Sequence, residues 1–159
     1  MKTNPGISRF TCISVIFLLL LSGFGCRKKE TVDQPAVDEQ IITTYISDNN
    51  LSAKATGSGL YYVVTTPGAN LQPAPNSNVT VKYKGYLTNG TVFDESSDLG
   101  ATFNLTGVIK GWQEGIPLFK KGGKGKLIIP SALAYGGQAS GKIPANSVLI
   151  FDIELLDVK

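Results

Sequence analysis

Asn78-Val-Thr-Val-Lys-Tyr-Lys-Gly-Tyr-Leu87, then Thr88, then Asn89-Gly-Thr-Val-Phe-Asp94, is the stretch on which the reading of the fold turns. Val79, Val81, Tyr83, Gly85 and Leu87 fall on one side of an extended chain and Thr80, Lys82, Lys84 and Tyr86 on the other. A period of two is the signature of a strand, here with one face in the core and one in water. Asn89 and Gly90 suit the positive backbone angles of a tight hairpin turn, which returns the chain through residues 91–94. The hairpin places Tyr83, Phe93 and Asp94 near one another.

Outward from this hairpin, short β-rich runs are separated by turn residues. Residues 60–65 read as a strand that stops at Pro67 and Gly68, and residues 102–105 as a second short one. Val108, Ile109, Trp112 and Ile116 then recur at helical spacing, predicting a central helix over 108–118 in which Pro117 discourages continuation. Residues 125–129 form the next strand, and an irregular stretch rich in Gly, Ala and Ser follows to Asn146. In the last strand, 148–158, Leu149, Phe151, Ile153 and Leu155 share one face, with Asp152 and Glu154 on the other. Several antiparallel strands and a single helix make an α+β domain, assigned to residues 57–159.

The N-terminal part reads differently. Lys2 and Arg9 precede an apolar run of 12 residues, 10–21, that ends in Ser22, Gly23, Phe24, Gly25 and Cys26. This is the layout of an export signal, and the run is shorter than the roughly 17 to 25 apolar residues that a membrane-spanning helix needs. Residues 1–25 are expected to be a lipoprotein signal peptide cleaved before Cys26, which then carries lipid; the alternative is an ordinary secretory signal with an incidental thiol. Residues 26–36 read as a polar tether from Cys26. Residues 37–56 hold a short amphipathic helix and linker, with Val37, Ile41, Ile42, Tyr45 and Ile46 forming the apolar stripe. The stripe is expected to pack on the domain that follows, leaving a monomer; dimerisation through it is the alternative.

Composition rules out several chemistries. There is no histidine, so nucleophilic triads and His-based zinc sites are excluded. Asp94, Glu95 and Asp98 are the one local acidic group and lack an EF-hand pattern, so no metal is expected. Gly122-Gly-Lys-Gly-Lys126 superficially suggests a phosphate loop, but Leu127 stands where Ser or Thr is needed, and the segment leads from helix into strand. Without Lys2 and Arg9 the 15 basic residues become 13 against 12 acidic, near neutrality. Lys120, Lys121, Lys124 and Lys126 then read as a solvated strand edge, not as a nucleic-acid surface.

Five strings occur in one order: Val81-Lys-Tyr-Lys-Gly-Tyr-Leu87, Asn89-Gly-Thr-Val-Phe-Asp94, Val108-Ile-Lys-Gly-Trp-Gln-Glu-Gly115, Ile129-Pro-Ser-Ala-Leu-Ala-Tyr-Gly136 and Leu149-Ile-Phe-Asp-Ile-Glu-Leu155. Together they resemble the FKBP family of peptidyl-prolyl cis/trans isomerases, in a bacterial lipoprotein form. The resemblance implies a twisted antiparallel sheet wrapped around one short helix, preceded here by the N-terminal helix. It implies an isomerase acting on X-Pro bonds of unfolded or partly folded exported proteins without cofactor, metal or nucleic acid. Tyr83, Phe93, Val108, Ile109, Trp112, Tyr135 and Phe151 would line the proline pocket, with Trp112 as its floor. The Ile109 amide and the Tyr135 hydroxyl would donate to substrate carbonyls, Ile143 would cover the edge, and Asp94 would sit at the rim accepting from Tyr83. Many family members carry an aromatic residue where Ala101 stands, so that wall is expected to be thinned and macrolide affinity put in doubt. A chaperone-like binding module of the same fold, with weak or no turnover, is the alternative function. Lipid on Cys26 would hold the protein in the cell envelope, facing the periplasm if the host has two membranes.

Overall fold

The structure, a computed structural model, describes residues 32–69 and 71–159. The signal peptide expected at 1–25, Cys26 and the tether as far as residue 31 lie outside the described residues. In chain order the elements are α1 (Gln34–Asp48), β1 (Lys54–Ala55), β2 (Tyr61–Thr66), β3 (Asn78–Leu87), β4 (Val92–Glu95), β5 (Ala101–Asn104), α2 (Lys110–Gly115), β6 (Lys124–Ile129) and β7 (Leu149–Val158). Among the described residues the strands form one seven-stranded antiparallel sheet, ordered β1-β2-β6-β7-β3-β4 with β5 also paired to β3. β3 and β7 run along each other from Val79↔Val158 to Leu87↔Leu149 and form its spine.

The inner face follows the alternation of the strands. Val79 and Val81 of β3, Leu127 and Ile129 of β6, and Leu149, Phe151, Ile153 and Leu155 of β7 are buried against Trp112 and Ile116. α2 is much shorter than the predicted 108–118. Val108 and Ile109 precede it in extended geometry, and Ile116–Leu118 continues it as a 3-10 turn containing Pro117. The helix lies close to the sheet because Gly111 faces β6, where any Cβ would collide with the Ile129 side chain.

The hairpin after β3 has one residue more than the predicted two-residue turn. Gly90 N–H donates to Leu87 O at 2.8 Å and Leu87 N–H to Thr91 O at 3.0 Å, so Thr88, Asn89 and Gly90 form the loop. Gly90 alone of these has a positive φ, 87°. Asn89 serves through its side chain, whose Oδ1 accepts from Thr91 N–H at 3.0 Å. A three-residue loop closed by a glycine is the next most common hairpin, and a separate register shift further along, between Gly85 and Tyr86, makes Phe93 the extra residue of β4.

The outer face departs most from expectation. Tyr61, Ile128, Ile150 and Tyr86 are cross-strand neighbours in one row over β2, β6, β7 and β3. α1 lies over this row and buries Ile42 completely, with Ile41, Tyr45 and Ile46 packed around it. The face expected to be wet is therefore dry in this row. Wetness starts with the adjacent rows, where Lys126, Asp152, Lys84 and Glu95 pair in register, and Lys124, Glu154 and Lys82 do the same. α1 also begins at Gln34, inside what was expected to be tether up to 36. Pro35 is compatible with this start because a first-turn residue needs no amide donor.

Candidate active site

The curl of the sheet around α2 leaves a cavity of about 630 Å³. Tyr83 reaches it from β3, Phe93 and Asp94 from β4, Phe151 from β7, Trp112 from α2, and Val108 and Ile109 from the segment before α2. Tyr135 and Ile143 come from the long loop before β7. The structure thus brings together every pocket residue named from the sequence.

Trp112 lies at the bottom, 4% exposed. Its ring is met edge-on by Tyr83 at 5.1 Å, Phe151 at 5.3 Å and Phe103 at 5.4 Å between centroids. Phe93 closes the rim side by meeting Phe151 at 5.5 Å and 81°. Edge-to-face aromatic contacts hold rings more firmly than area burial alone, so the floor and walls are rigid. Phe103 is the lining residue that the sequence reading did not assign. Ala101, expected to thin this wall, does not line the cavity, whereas Phe103, two residues on along the same strand face, does. Its signal was the alternation of β5 itself. Ser140, Gly141 and Lys142 were also unassigned; they form a tight turn at the mouth, closed by reciprocal 2.9 Å bonds between Ser140 and Ile143.

Polar groups are few and specifically placed. The Tyr83 hydroxyl donates to Asp94 Oδ2 at 2.7 Å. Burial in the cavity, reinforced by the adjacent Asp94, holds that phenol well above its ordinary pKa, so it stays a neutral donor. Ile109 caps α2, its carbonyl accepting from Trp112 N–H at 2.9 Å and Gln113 N–H at 3.1 Å. Gln113 Nε2 ties down the Val108 carbonyl at 2.8 Å. The Ile109 amide has no acceptor among the described residues and is left available at the cavity wall. Tyr135 is 42% exposed at the mouth. Among the described residues no cluster of acids or cysteines capable of holding a metal occurs. What this arrangement can do is bind: it offers an aromatic slot for a compact apolar ring and a small number of donors for the carbonyls beside it.

An antiparallel sheet closed on one short helix, with an indole at the base of the concavity, is an α+β fold built around an aromatic binding pocket. Residues 70–156 match the sequence pattern of the FKBP-type peptidyl-prolyl cis-trans isomerases, and the chain belongs to that family. It is 45% identical over 136 residues to the FKBP-type peptidyl-prolyl cis-trans isomerase FkpA of Aeromonas hydrophila, covering 82% of this chain and 51% of that protein. The crystal structure of FkpA from Escherichia coli superposes with a TM-score of 0.71 at 42% identity, over 80% of this chain and 60% of that one. A peptidyl-prolyl cis-trans isomerase from Pseudomonas syringae pv. tomato also gives 0.71, at 31% identity, over 79% of this chain and 93% of that one. The chain spans about half the length of the curated relatives it matches.

Proposed function

We propose that this protein is a peptidyl-prolyl cis/trans isomerase that takes proline-containing segments of exported proteins into the Trp112 cavity. The observation that carries this reading is the indole floor walled edge-on by Tyr83, Phe103 and Phe151, with the free Ile109 amide beside it. The X-Pro bond rotates over a barrier of roughly 18 to 20 kcal/mol because rotation breaks amide resonance. The planar amide is more charge-separated than the twisted one, so an apolar cavity disfavours the ground state relative to the transition state. The proline ring stacks in the aromatic slot and is held still. The Ile109 amide and the Tyr135 hydroxyl donate to flanking carbonyls, and donors that fit the twisted conformer better lower the barrier by differential binding. Asp94 holds the Tyr83 phenol in place. No bond is made or broken, which fits a site without nucleophile or base.

Trp112 is the single tryptophan of the chain and reports occupancy directly. A peptide with an apolar residue before proline should change its emission, and exchange NMR should show catalysed cis/trans interconversion without metal or cofactor. Phe93→Ala and Asp94→Ala should each lower kcat/KM about tenfold, equivalent to about 1.4 kcal/mol of transition-state stabilisation, while circular dichroism stays native. Absence of any catalysed exchange in the parent protein sinks the reading. Unchanged kinetics in both folded variants would move the site elsewhere.

Export and anchoring belong to the same reading. Lys2 and Arg9 before the apolar run, and Gly25-Cys26 at its end, support a lipoprotein signal peptide and lipid on Cys26, with the domain facing the periplasm on its tether. Multiple acyl chains give firm anchoring where one gives only marginal binding. Mass spectrometry of the membrane fraction should find Cys26 acylated, and Cys26→Ser should release the protein into the soluble fraction.

A holding module with weak turnover would be favoured by an open pocket wall at Ala101 and by an exposed apolar stripe on the N-terminal helix. Phe103 lines the wall beside Ala101, and Ile42 of the stripe is buried on the sheet, so neither feature favours it.

A further inference from the structure

Asp38 is an acidic residue only 1% exposed, on the helix that covers the outer face of the sheet and not on the cavity side. The sequence marks it only as an acidic residue near the start of a helix. Its Oδ2 accepts from Ser131 N–H at 2.7 Å and from Ser131 Oγ–H at 2.6 Å, and its Oδ1 from Gln34 Nε2 at 2.7 Å. Ser131 opens the 3-10 turn Ser131–Leu133, which begins the loop that carries Tyr135 and Ile143. The Ser131 carbonyl in turn accepts from Ala134 N–H at 3.0 Å and Gly136 N–H at 2.8 Å, the amides on either side of Tyr135. Gly136 O then accepts from Asn146 N–H at 2.8 Å, closing the far end of the loop. A buried side chain that accepts three hydrogen bonds is costly to disturb, because any donor left without it stays unsatisfied out of water.

From this chain of contacts we infer that Asp38 is a positioning residue for the isomerase site: through Ser131 it sets the backbone that aims the Tyr135 hydroxyl across the cavity mouth. The inference rests on the isomerase reading and extends it, since it makes the N-terminal helix, outside the span matched to the family, a working part of the site. A misplacement of a catalytic donor by about 1 Å can cost up to a hundredfold in rate. α1 is therefore both a cover for the outer sheet face and a brace for the loop.

The test uses the full chain. Asp38→Ala should lower kcat/KM about tenfold, whereas Asp38→Asn, which keeps an acceptor oxygen for Ser131, should restore most of that loss. In a Tyr135→Phe background the same Asp38→Ala replacement should cost less than about twofold, because the hydroxyl it aims is already gone. A replacement that acts only on general stability would give the same loss in both backgrounds, and that result overturns the inference. Ser131→Ala removes the hydroxyl donor while leaving the carboxylate, and serves if Asp38→Ala does not fold; it should lower kcat/KM about threefold with the same dependence on Tyr135. Parent-like rates in Ser131→Ala count against the assignment. Hydrogen exchange of the Ala134 and Gly136 amides needs no turnover: faster exchange in Asp38→Ala supports the brace, and unchanged exchange refutes it even if the parent proves inactive as an isomerase.

Discussion

Gly85 lies in the middle of β3 with its missing side chain aimed at the pocket. A Cβ there would come within 2.6 Å of the Phe93 ring and 2.8 Å of the Phe151 ring. Neither ring can retreat freely, because each braces the other at 5.5 Å. Gly85→Ala should destabilise the fold by about 1 to 3 kcal/mol through overpacking and weaken peptide binding more than Phe93→Ala does; urea unfolding and Trp112 fluorescence titration measure the two effects. The alternation of β3 placed Gly85 on the inner face, but nothing in the sequence says that two rings meet above it. The phenols give a second expectation. Burial first and the Asp94 bond second raise the Tyr83 pKa, and burial with the Tyr86 bond pushes Tyr45 up to about 12. A hydroxyl that keeps its proton longer when folded contributes stability that is fully present below its ordinary value of 10.0 and fades as pH rises through the folded value. Stability should therefore fall above about pH 10, with a tyrosinate absorbance phase near the unfolding transition that Tyr83→Phe and Tyr45→Phe each diminish.

The helices show how far periodicity carries. The helical spacing of Val37, Ile41, Ile42, Tyr45 and Ile46 predicts an amphipathic helix, and α1 packs this stripe on the sheet except for Val37, which is exposed. Which surface it covers was not legible, because the partner row Tyr61, Ile128, Ile150 and Tyr86 is contributed by four strands. In β6 and β7 the row residue shares its face with charged neighbours, Lys124 and Lys126 beside Ile128 and Asp152 and Glu154 beside Ile150, so no single strand announces a buried row. Ile42 is fully buried in that contact, so Ile42→Ala should cost about 2 to 5 kcal/mol, read as a lower urea midpoint with little change in the slope. α2 illustrates the opposite error. Val108 and Ile109 fit helical spacing but sit before the first turn, and the Ile109 amide, at the N-cap of α2, has no intrahelical acceptor, as is true of every amide at a helix start.

Over the molecule, the paired charges concentrate on the outer face and the aromatic rings in the cavity. Lys126 with Asp152, Lys124 with Glu154 at 3.0 Å and Lys82 with Asp98 at 2.6 Å line the outer face, while the cavity is walled by rings. Exposed pairs of this kind contribute little and are screened by salt. Raising the ionic strength from about 0.05 M to about 0.5 M should change kcat/KM for an uncharged peptide less than about twofold, as measured by NMR exchange. A steep loss would place recognition on the charged rows instead of the aromatic slot. The α+β class, the order of the elements and the strips of residues that meet in the cavity could all be read from the chain, because alternation is a property of the local backbone and tells which side chains share a face. What covers each face could not. The brace from Asp38 to Ser131 joins residues 93 apart, Phe103 reaches the Trp112 floor from β5, and α1 dries one row of a face that alternation marks as wet. These depend on packing between distant segments, where burial and hydrogen-bond satisfaction outweigh local pattern.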